Sequence, residues 1–208
     1  MSRRQWLAAA VTVPAAGALV GWRAAVTANA EGIKGGYFPN VWLYTHEGRR
    51  VRFYDDLVRG KVVVVSFMYS KCRGVCPGIT QNLARVQRLL EPSVGRDVFM
   101  YSISIKPDED TPEVLGRYVA GLGIGPGWSF LTGAPDDIER IRRSLGAVDP
   151  DPAVDADKSQ HIGMLRYGNE RLERWAACPG GAKPEWIAQS IRWMTDEGAS
   201  RHGTEAAL

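Results

Sequence analysis

Cys72 and Cys76 are the residues of this chain whose type and spacing point most directly to chemistry. Three residues separate them, and they follow immediately after a long apolar run. Two neighbouring thiols can exchange electrons with disulfides, or they can bind a soft metal ion. The cysteine pattern alone leaves both kinds of chemistry open.

The elements on either side of the cysteines indicate how the two thiols are positioned. The β-branched and aromatic run over residues 62–69 is typical of a buried strand. Pro77 opens an amphipathic helix that is predicted to end near Leu90. Cys76 is therefore expected at or beside the helix N-cap, where unpaired N–H groups and the helix dipole favour a thiolate. Lys71 and Arg73 add positive charge nearby in the sequence.

The remaining pattern predicts an α/β fold around a central mixed sheet. Residues 41–53 read as a β-hairpin, and further strands are expected at 98–105 and 128–131. Helices are predicted from Thr111-Pro112, with Thr111 as the N-cap, from Pro135 to Leu145, and from Pro184 to Met194. Residues 149–160 are expected to form an exposed loop. A second hairpin over 161–176 is predicted to turn at Gly168-Asn169. In such a fold the cysteines lie at the carboxyl end of a parallel strand, where α/β sheets place ligands.

The first thirty residues are predicted to be an export signal of the twin-arginine type. Arg3 and Arg4 precede an uncharged stretch from Gln5 to Trp22, and Ala28-Asn29-Ala30 offers a small-x-small cleavage pattern. The alternative is an uncleaved membrane anchor, because eighteen residues can just span a bilayer. Either reading places the protein in the periplasm or elsewhere outside the cytoplasm. Residues 31–197 are then one domain, and 198–208 a disordered tail.

The charge balance argues against nucleic-acid binding. Residues 1–30 hold three of the 26 basic residues and no acidic residue, which leaves 23 basic against 23 acidic side chains. The formal net charge of +3 therefore belongs to the predicted signal. A formally neutral domain gives no electrostatic support for a nucleic-acid partner.

Several motifs in register resemble the SCO/SenC family, which consists of thioredoxin-like copper proteins that help to assemble the copper centre of respiratory cytochrome oxidase. The resemblance covers roughly residues 40–195. Its motifs are Cys72-Arg-Gly-Val-Cys76-Pro77, Gln81-Asn-Leu-Ala-Arg-Val86, Pro107-Asp-Glu-Asp-Thr-Pro112, Phe130-Leu-Thr-Gly133 and a lone His161 opening a late strand. It implies a three-layer, thioredoxin-like α/β fold with an added N-terminal hairpin.

The resemblance also implies a copper site formed by Cys72, Cys76 and His161. Thiolates suit Cu(I), and imidazole suits both copper oxidation states. Thioredoxins carry a cis-proline where this chain has His161. An expected metal ligand therefore stands where thioredoxins have a residue that helps to bind substrate peptides. Family members commonly have Asp before this histidine, where the chain has Gln160, and often have Asp-Pro where it has Lys106-Pro107. Both departures remove acidity near the expected site.

Two functions follow as expectations from this resemblance. The leading one is an exported copper metallochaperone that passes copper by ligand exchange to an oxidase subunit or another copper protein. The alternative is a thiol–disulfide oxidoreductase that reduces the cysteines of the copper-receiving protein and draws on a thiol reductant. Cys72 would then attack and Cys76 would resolve the mixed disulfide. Peroxide reduction is less favoured, because no Pro-x-x-x-Thr-x-x-Cys motif surrounds Cys72.

Cys178 is not explained by a three-ligand site. A two-residue turn at Gly168-Asn169 makes Cys178 the diagonal neighbour of His161, and a turn one residue later places the two directly opposite. Both registers predict the Cys178 sulfur within about 10 Å of the His161 ring. An auxiliary ligand and a buried thiol without a role are both compatible with this placement. His46 and His202 are expected to be solvated, and Met68 to belong to the core.

Overall fold

The fold was taken from a computed structural model that describes residues 36–157 and 163–195. The chain divides into the units Met1–Tyr37 and Phe38–Leu208, and the sheet and its helices lie in the second unit. The predicted export signal, the predicted tail and His161 lie outside the described residues.

The described residues form seven strands and five α-helices. The strands are β1 (Trp42–Thr45), β2 (Arg50–Arg52), β3 (Val62–Met68), β4 (Val98–Ser104), β5 (Trp128–Gly133), β6 (Met164–Asn169) and β7 (Arg174–Pro179). The helices are α1 (Val75–Leu90), α2 (Pro112–Ala120), α3 (Pro135–Ser144), α4 (Pro152–Ala156) and α5 (Pro184–Arg192). None of the helices in this part of the chain is long and apolar enough to cross a membrane.

The strands make one mixed sheet in the order β2-β1-β5-β4-β3-β6-β7. The central pairs β3–β4 and β4–β5 are parallel, and every other neighbouring pair is antiparallel. The predicted central mixed sheet is confirmed, and the N-terminal hairpin β1–β2 extends it beyond β5. Because β3 and β4 are parallel, their carboxyl ends meet at one end of the sheet, which also receives the amino end of β6.

Each face of the sheet is covered by its own apolar layer, because alternate residues of a strand point to opposite faces. Val62, Val64 and Met68 of β3 belong to the first layer, with residues of α1, α2 and α5. Val63 and Val65 belong to the second layer, with residues of α3 and the segment Phe53–Val58. The three-layer arrangement follows from this alternation.

The two edge strands carry residues that suit an exposed position. The Arg50 and Arg52 guanidinium carbons lie 4.0 and 4.7 Å from the ring centroid of Trp42 on β1. At the other edge, β7 begins at Arg174 and ends at Pro179.

The predicted turn of the second hairpin is wrong. Gly168 pairs with Trp175 and Asn169 with Arg174, so the loop is formed by residues 170–173. A Cβ on Gly168 would lie 2.4 Å from the Arg174 carbonyl oxygen, so this glycine permits close strand pairing and does not make a turn. Asn169 ends the strand, because its side-chain oxygen accepts a hydrogen bond from the Leu172 N–H at 3.2 Å.

Among the other differences from the sequence prediction, three change the start or the type of an element. Phe53 starts a π-helical segment, Phe53–Val58, instead of continuing β2. Part of the expected loop forms the short helix α4, whose N-cap Asp151 accepts a hydrogen bond from the Ala153 N–H at 2.9 Å. Helix α1 begins at Val75, two residues before Pro77. By contrast, the predicted N-cap Thr111 is confirmed, because its hydroxyl accepts a hydrogen bond from the Val114 N–H at 3.4 Å.

Candidate metal and thiol site

The two cysteines flank the connection between β3 and α1. Cys72 lies in the loop after β3, where its N–H donates to the Tyr69 carbonyl at 3.2 Å, and Cys76 lies in the first turn of α1 after the N-cap Gly74. Cys72 is 8% exposed and Cys76 is 2% exposed, so both sulfurs belong to the buried layer under α1. Both cysteines are free thiols. The predicted position of Cys76 at the helix start is confirmed.

The Cys72 thiol is the more acidic of the pair. Burial raises its pKa, but hydrogen bonds from the Cys76 side chain, from the Cys76 and Gly74 backbone and from the Tyr69 hydroxyl outweigh burial and lower it below the ordinary value. These donors stabilise a thiolate on Cys72. The arrangement suits a sulfur that attacks a disulfide or binds a metal ion.

The pKa of Cys76 is shifted in the opposite direction. Burial, together with its hydrogen bond to Cys72, raises the pKa of Cys76 to about 12. Cys72 therefore loses its proton at a lower pH than Cys76, and a hydrogen bond joins the two sulfurs. A cation that bound both sulfurs would displace the proton that Cys76 keeps.

Cys178 lies in the same buried layer as the cysteine pair. It is 1% exposed on β7, opposite Leu165 of β6, and burial raises its pKa to about 11. Neither register predicted from the sequence is correct, because the loop is longer than expected. The predicted distance from Cys178 to His161 stays a prediction, since His161 is outside the described residues.

The predictions made for Met68 and His46 have different outcomes. Met68 is 3% exposed within the layer under α1, which confirms a core position. His46 is half-buried, and its Nδ1 accepts a hydrogen bond from the Phe130 N–H at 3.2 Å. The expectation that His46 is simply solvated is therefore wrong, and this histidine joins the first hairpin to β5.

Sequence reasoning gave no role to three residues that support the site. Tyr69 donates its hydroxyl to Cys72. The Asn82 amide of α1 donates to the Gly180 and Ala182 carbonyls at 2.8 and 2.7 Å, which fixes α1 to the chain after β7. Asp110 is buried and accepts hydrogen bonds from Ser70 in the cysteine loop. Asn82 and Asp110 both lie in motifs used above for the family resemblance, which was the available signal.

The described residues include two of the three predicted copper ligands, Cys72 and Cys76. Over residues 36–157 and 163–195, no group of three or more His, Cys, Asp or Glu side chains could hold a metal ion. Cys72 and Cys76 are the sequence-predicted ligands that the structure brings together.

A mixed sheet between two helical layers, with a Cys-x₃-Cys pair at the carboxyl end of a parallel strand, defines a thioredoxin-like α/β protein. The chain belongs to the SCO1/SenC family, whose model matches residues 37–195. The expected fold and family are both confirmed.

Individual relatives agree with this assignment. The mitochondrial SCO2 homologue of Bos taurus is 34% identical over 130 residues, which are 59% of this chain and 47% of the bovine protein. The chain thus spans about half the length of that relative. Bradyrhizobium japonicum ScoI, solved with copper bound, is 22% identical with a TM-score of 0.60, over 74% of this chain and 96% of that one. BsSco, described as having a disulfide switch and as a member of the Sco family of cytochrome c oxidase assembly proteins, is also 22% identical with a TM-score of 0.60, over 73% of this chain and 89% of that one.

Proposed function

We propose that this protein binds copper through Cys72, Cys76 and His161 and delivers it to the copper centre of a respiratory oxidase. The observation that carries the proposal is the buried, hydrogen-bonded thiol pair at the start of α1, in a chain of the SCO1/SenC family. Copper is here the cargo, and the protein supplies ligands that hold it and then release it.

The donor set fits a soft cation. Two thiolates and one imidazole match the preference of Cu(I), and imidazole also suits Cu(II). Copper binding would release the proton that Cys76 holds, so affinity is expected to rise with pH. Transfer would proceed by stepwise exchange of these ligands for those of the recipient, without net chemistry on a substrate.

The neighbourhood of Gly163 supports His161 as the third ligand. A Cβ on Gly163 would lie 2.3 Å from Ile79 Cδ1 and 3.7 Å from Val75 Cγ2, so the chain at Gly163 contacts the first turn of α1. His161 precedes Gly163 by two residues in the sequence, and this short separation supports the choice of His161 as the third ligand.

The site of action and the partner are part of the same proposal. The twin-arginine pattern of residues 1–30 supports export, with cleavage or retention as an anchor as the two outcomes. The recipient would be an oxidase subunit or another copper protein outside the cytoplasm. BsSco, which has the same fold and is a member of the Sco family of cytochrome c oxidase assembly proteins, supports this choice.

Metal analysis after anaerobic loading with Cu(I) tests the ligand set. The domain is expected to bind one copper ion per chain, and Cys72→Ser, Cys76→Ser and His161→Ala are each expected to abolish tight binding. Cys178→Ser and His202→Ala are the matched controls and should keep wild-type stoichiometry. Unchanged copper affinity in His161→Ala would contradict the assignment.

The unequal thiols favour thiol–disulfide exchange as a second candidate function. The Cys72 thiolate would attack a disulfide of the recipient and form a mixed disulfide, and Cys76 would then release the reduced recipient as the Cys72–Cys76 disulfide forms. A thiol reductant would return the two electrons. A potential within about −120 to −270 mV, together with turnover of disulfide substrates, would support this activity. In metal-free protein under air, mass spectrometry should find the Cys72–Cys76 link and no link to Cys178.

A further inference from the structure

Asp110 is a buried carboxylate that joins the cysteine loop to the end of β4. It is 1% exposed and immediately precedes the N-cap of α2. Its Oδ2 accepts hydrogen bonds from the Ser104 hydroxyl at 2.6 Å and from the Ser70 N–H at 3.0 Å. The Ser70 hydroxyl donates to Oδ1. Both carboxylate oxygens are therefore satisfied by two serines from different segments.

Ser70 is the point at which this carboxylate acts on the thiols. It lies two residues before Cys72, in the connection that belongs neither to β3 nor to α1. The Ile105 N–H donates to the Met68 carbonyl at 2.8 Å, so the segment after β4 runs alongside the base of the same connection. Because Asp110 fixes both the backbone and the side chain of Ser70, the start of the cysteine loop cannot move independently of β4.

A second carboxylate of the same segment makes a weaker link. Glu109 pairs with Lys71 at 3.2 Å, but the side chains are 41% and 69% exposed. Solvent screens exposed ion pairs, whereas hydrogen bonds from neutral donors to a buried carboxylate are short and strong. The position of the loop therefore depends on Asp110 far more than on Glu109.

We infer that Asp110 is a positioning residue that holds the Cys72–Cys76 loop in the geometry that receives copper. This inference rests on the proposed copper-binding function. The anchor is present in the conformation in which the two thiols are reduced and hydrogen-bonded to each other, and the inference includes that the anchor favours this dithiol over the disulfide. Loss of the anchor costs the dithiol more than the disulfide, and it leaves the sulfurs less organised for a metal ion.

Asp110→Asn is the first test, because asparagine keeps the shape but replaces one acceptor oxygen with a donor. We expect Cu(I) affinity, measured by competition with a chromophoric chelator, to fall about tenfold, as for other residues that orient metal ligands. In metal-free protein equilibrated with reduced and oxidised dithiothreitol, we expect a three- to tenfold shift toward the disulfide. Cys72 and Cys76 lose two protons and two electrons in that reaction, and oxidised dithiothreitol gains them.

Three matched variants separate positioning from charge and from stability. Glu109→Gln removes a neighbouring negative charge and should change either quantity less than twofold. Ile141→Val reduces packing in the layer on the opposite sheet face and should lower stability while leaving both quantities unchanged. Ser70→Ala removes the hydroxyl that donates to Asp110, so it should shift the Cu(I) affinity and the dithiol–disulfide equilibrium in the same direction as Asp110→Asn. Ser70→Thr keeps a hydroxyl, and both quantities should stay close to their wild-type values.

The outcomes are distinct. The inference would be overturned if the Cu(I) affinity and the dithiol–disulfide equilibrium of Asp110→Asn both stayed within twofold of the wild-type values. It would also be overturned if Ile141→Val shifted these two quantities as much as Asp110→Asn does. Should Asp110→Asn fail to fold, Ser70→Ala decides the matter, and an unchanged Ser70→Ala overturns it. Absence of copper binding in the wild-type protein would refute the proposed function, while the dithiothreitol equilibrium would still test the role of Asp110.

Discussion

The two ends of the central sheet are built alike around a buried carboxylate, yet they differ in what surrounds it. Where β3 and β4 finish, Asp110 joins Ser70 to Ser104. At the opposite end, Glu170 accepts hydrogen bonds from the Tyr54 hydroxyl at 3.0 Å and from the Gly60 N–H at 2.7 Å. Each carboxylate fixes a loop that enters or leaves β3.

The difference lies in the loops that the two carboxylates hold. Asp110 holds the loop with the paired thiols, whereas Glu170 holds the connection before β3, over residues 59–61, which has no cysteine or histidine. At both ends of the sheet, the buried and hydrogen-bonded carboxylate therefore has a structural role. The chemistry of the carboxyl end comes from the thiols, and variants at the other end should change stability alone.

Gly163, just before β6, and Gly168, near the end of β6, provide the strongest test of this difference. A Cβ on Gly168 would meet the Arg174 carbonyl at 2.4 Å and the Trp175 ring at 2.6 Å, and backbone cannot yield. A Cβ on Gly163 would meet the mobile end of Ile79. Chemical denaturation should show Gly168→Ala destabilised by about 3 kcal/mol and Gly163→Ala by about 1 kcal/mol.

The functional readout of these glycine variants should have the opposite order. Gly163→Ala presses on Ile79 of α1 and should weaken copper binding, while folded Gly168→Ala should bind copper as the wild type does. Equal copper affinity in the two variants would remove the functional distinction between the ends of β6.

Glu170→Gln should lower the free energy of unfolding by about 1–3 kcal/mol, because it weakens buried hydrogen bonds to a charged acceptor. Urea denaturation measures the change, and Cys72 alkylation in the folded protein should keep its wild-type rate. Glu47→Gln, which removes an exposed partner of Arg49, serves as the control and should cost less than about 0.5 kcal/mol. A changed rate of Cys72 alkylation in the Glu170→Gln variant would mean that the two ends of the sheet are coupled.

Within the thiol end, Cys72 should react with iodoacetamide at least about tenfold faster than Cys76 at pH 8. The pKa of Cys72 is lowered and that of Cys76 is raised to about 12, so thiolate forms on Cys72 at the lower pH. Peptide mapping of anaerobic, metal-free protein gives both rates. Similar rates in the unfolded chain are the control, and similar rates in the folded protein would refute the asymmetry.

Tyr69→Phe should have the smallest effect of this series. It removes one of the hydrogen bonds that lower the pKa of Cys72, so the pH midpoint of Cys72 alkylation should rise by about half a unit to one unit. Tyr44→Phe, at an exposed position on β1, should leave the midpoint unchanged. A midpoint that stays put or falls in Tyr69→Phe would show that the hydroxyl does not stabilise the thiolate.

Local patterns were sufficient for most of the fold. The β-branched run of β3 and the prolines that open α2, α3 and α5 predicted these elements within a few residues, because each signal acts over one turn or one strand. The cysteine pair followed from the junction between β3 and α1. The family and its fold followed from motifs in register, and the match over residues 37–195 confirms them.

The failures come from contacts between distant residues. Gly168 is a turn signal by itself, but its pairing with Trp175 depends on how closely two strands approach. The hydrogen bond between His46 and Phe130 joins residues 84 positions apart. The role of Asp110 likewise depends on how two loops meet after folding, because Asp110 and Ser70 are 40 positions apart. His161 and its distance from Cys178 stay predictions.

The arginines of β2 and the proline that ends β7 determine how copies of this protein behave at high concentration. An open sheet edge attracts further strands, and guanidinium groups stacked on Trp42 place fixed positive charge where a second β2 would have to approach. Pro179 lacks the N–H that a strand added beside β7 would require. Edge-to-edge polymerisation is therefore opposed at both margins of the described sheet, which favours a colloidally stable, unpolymerised protein.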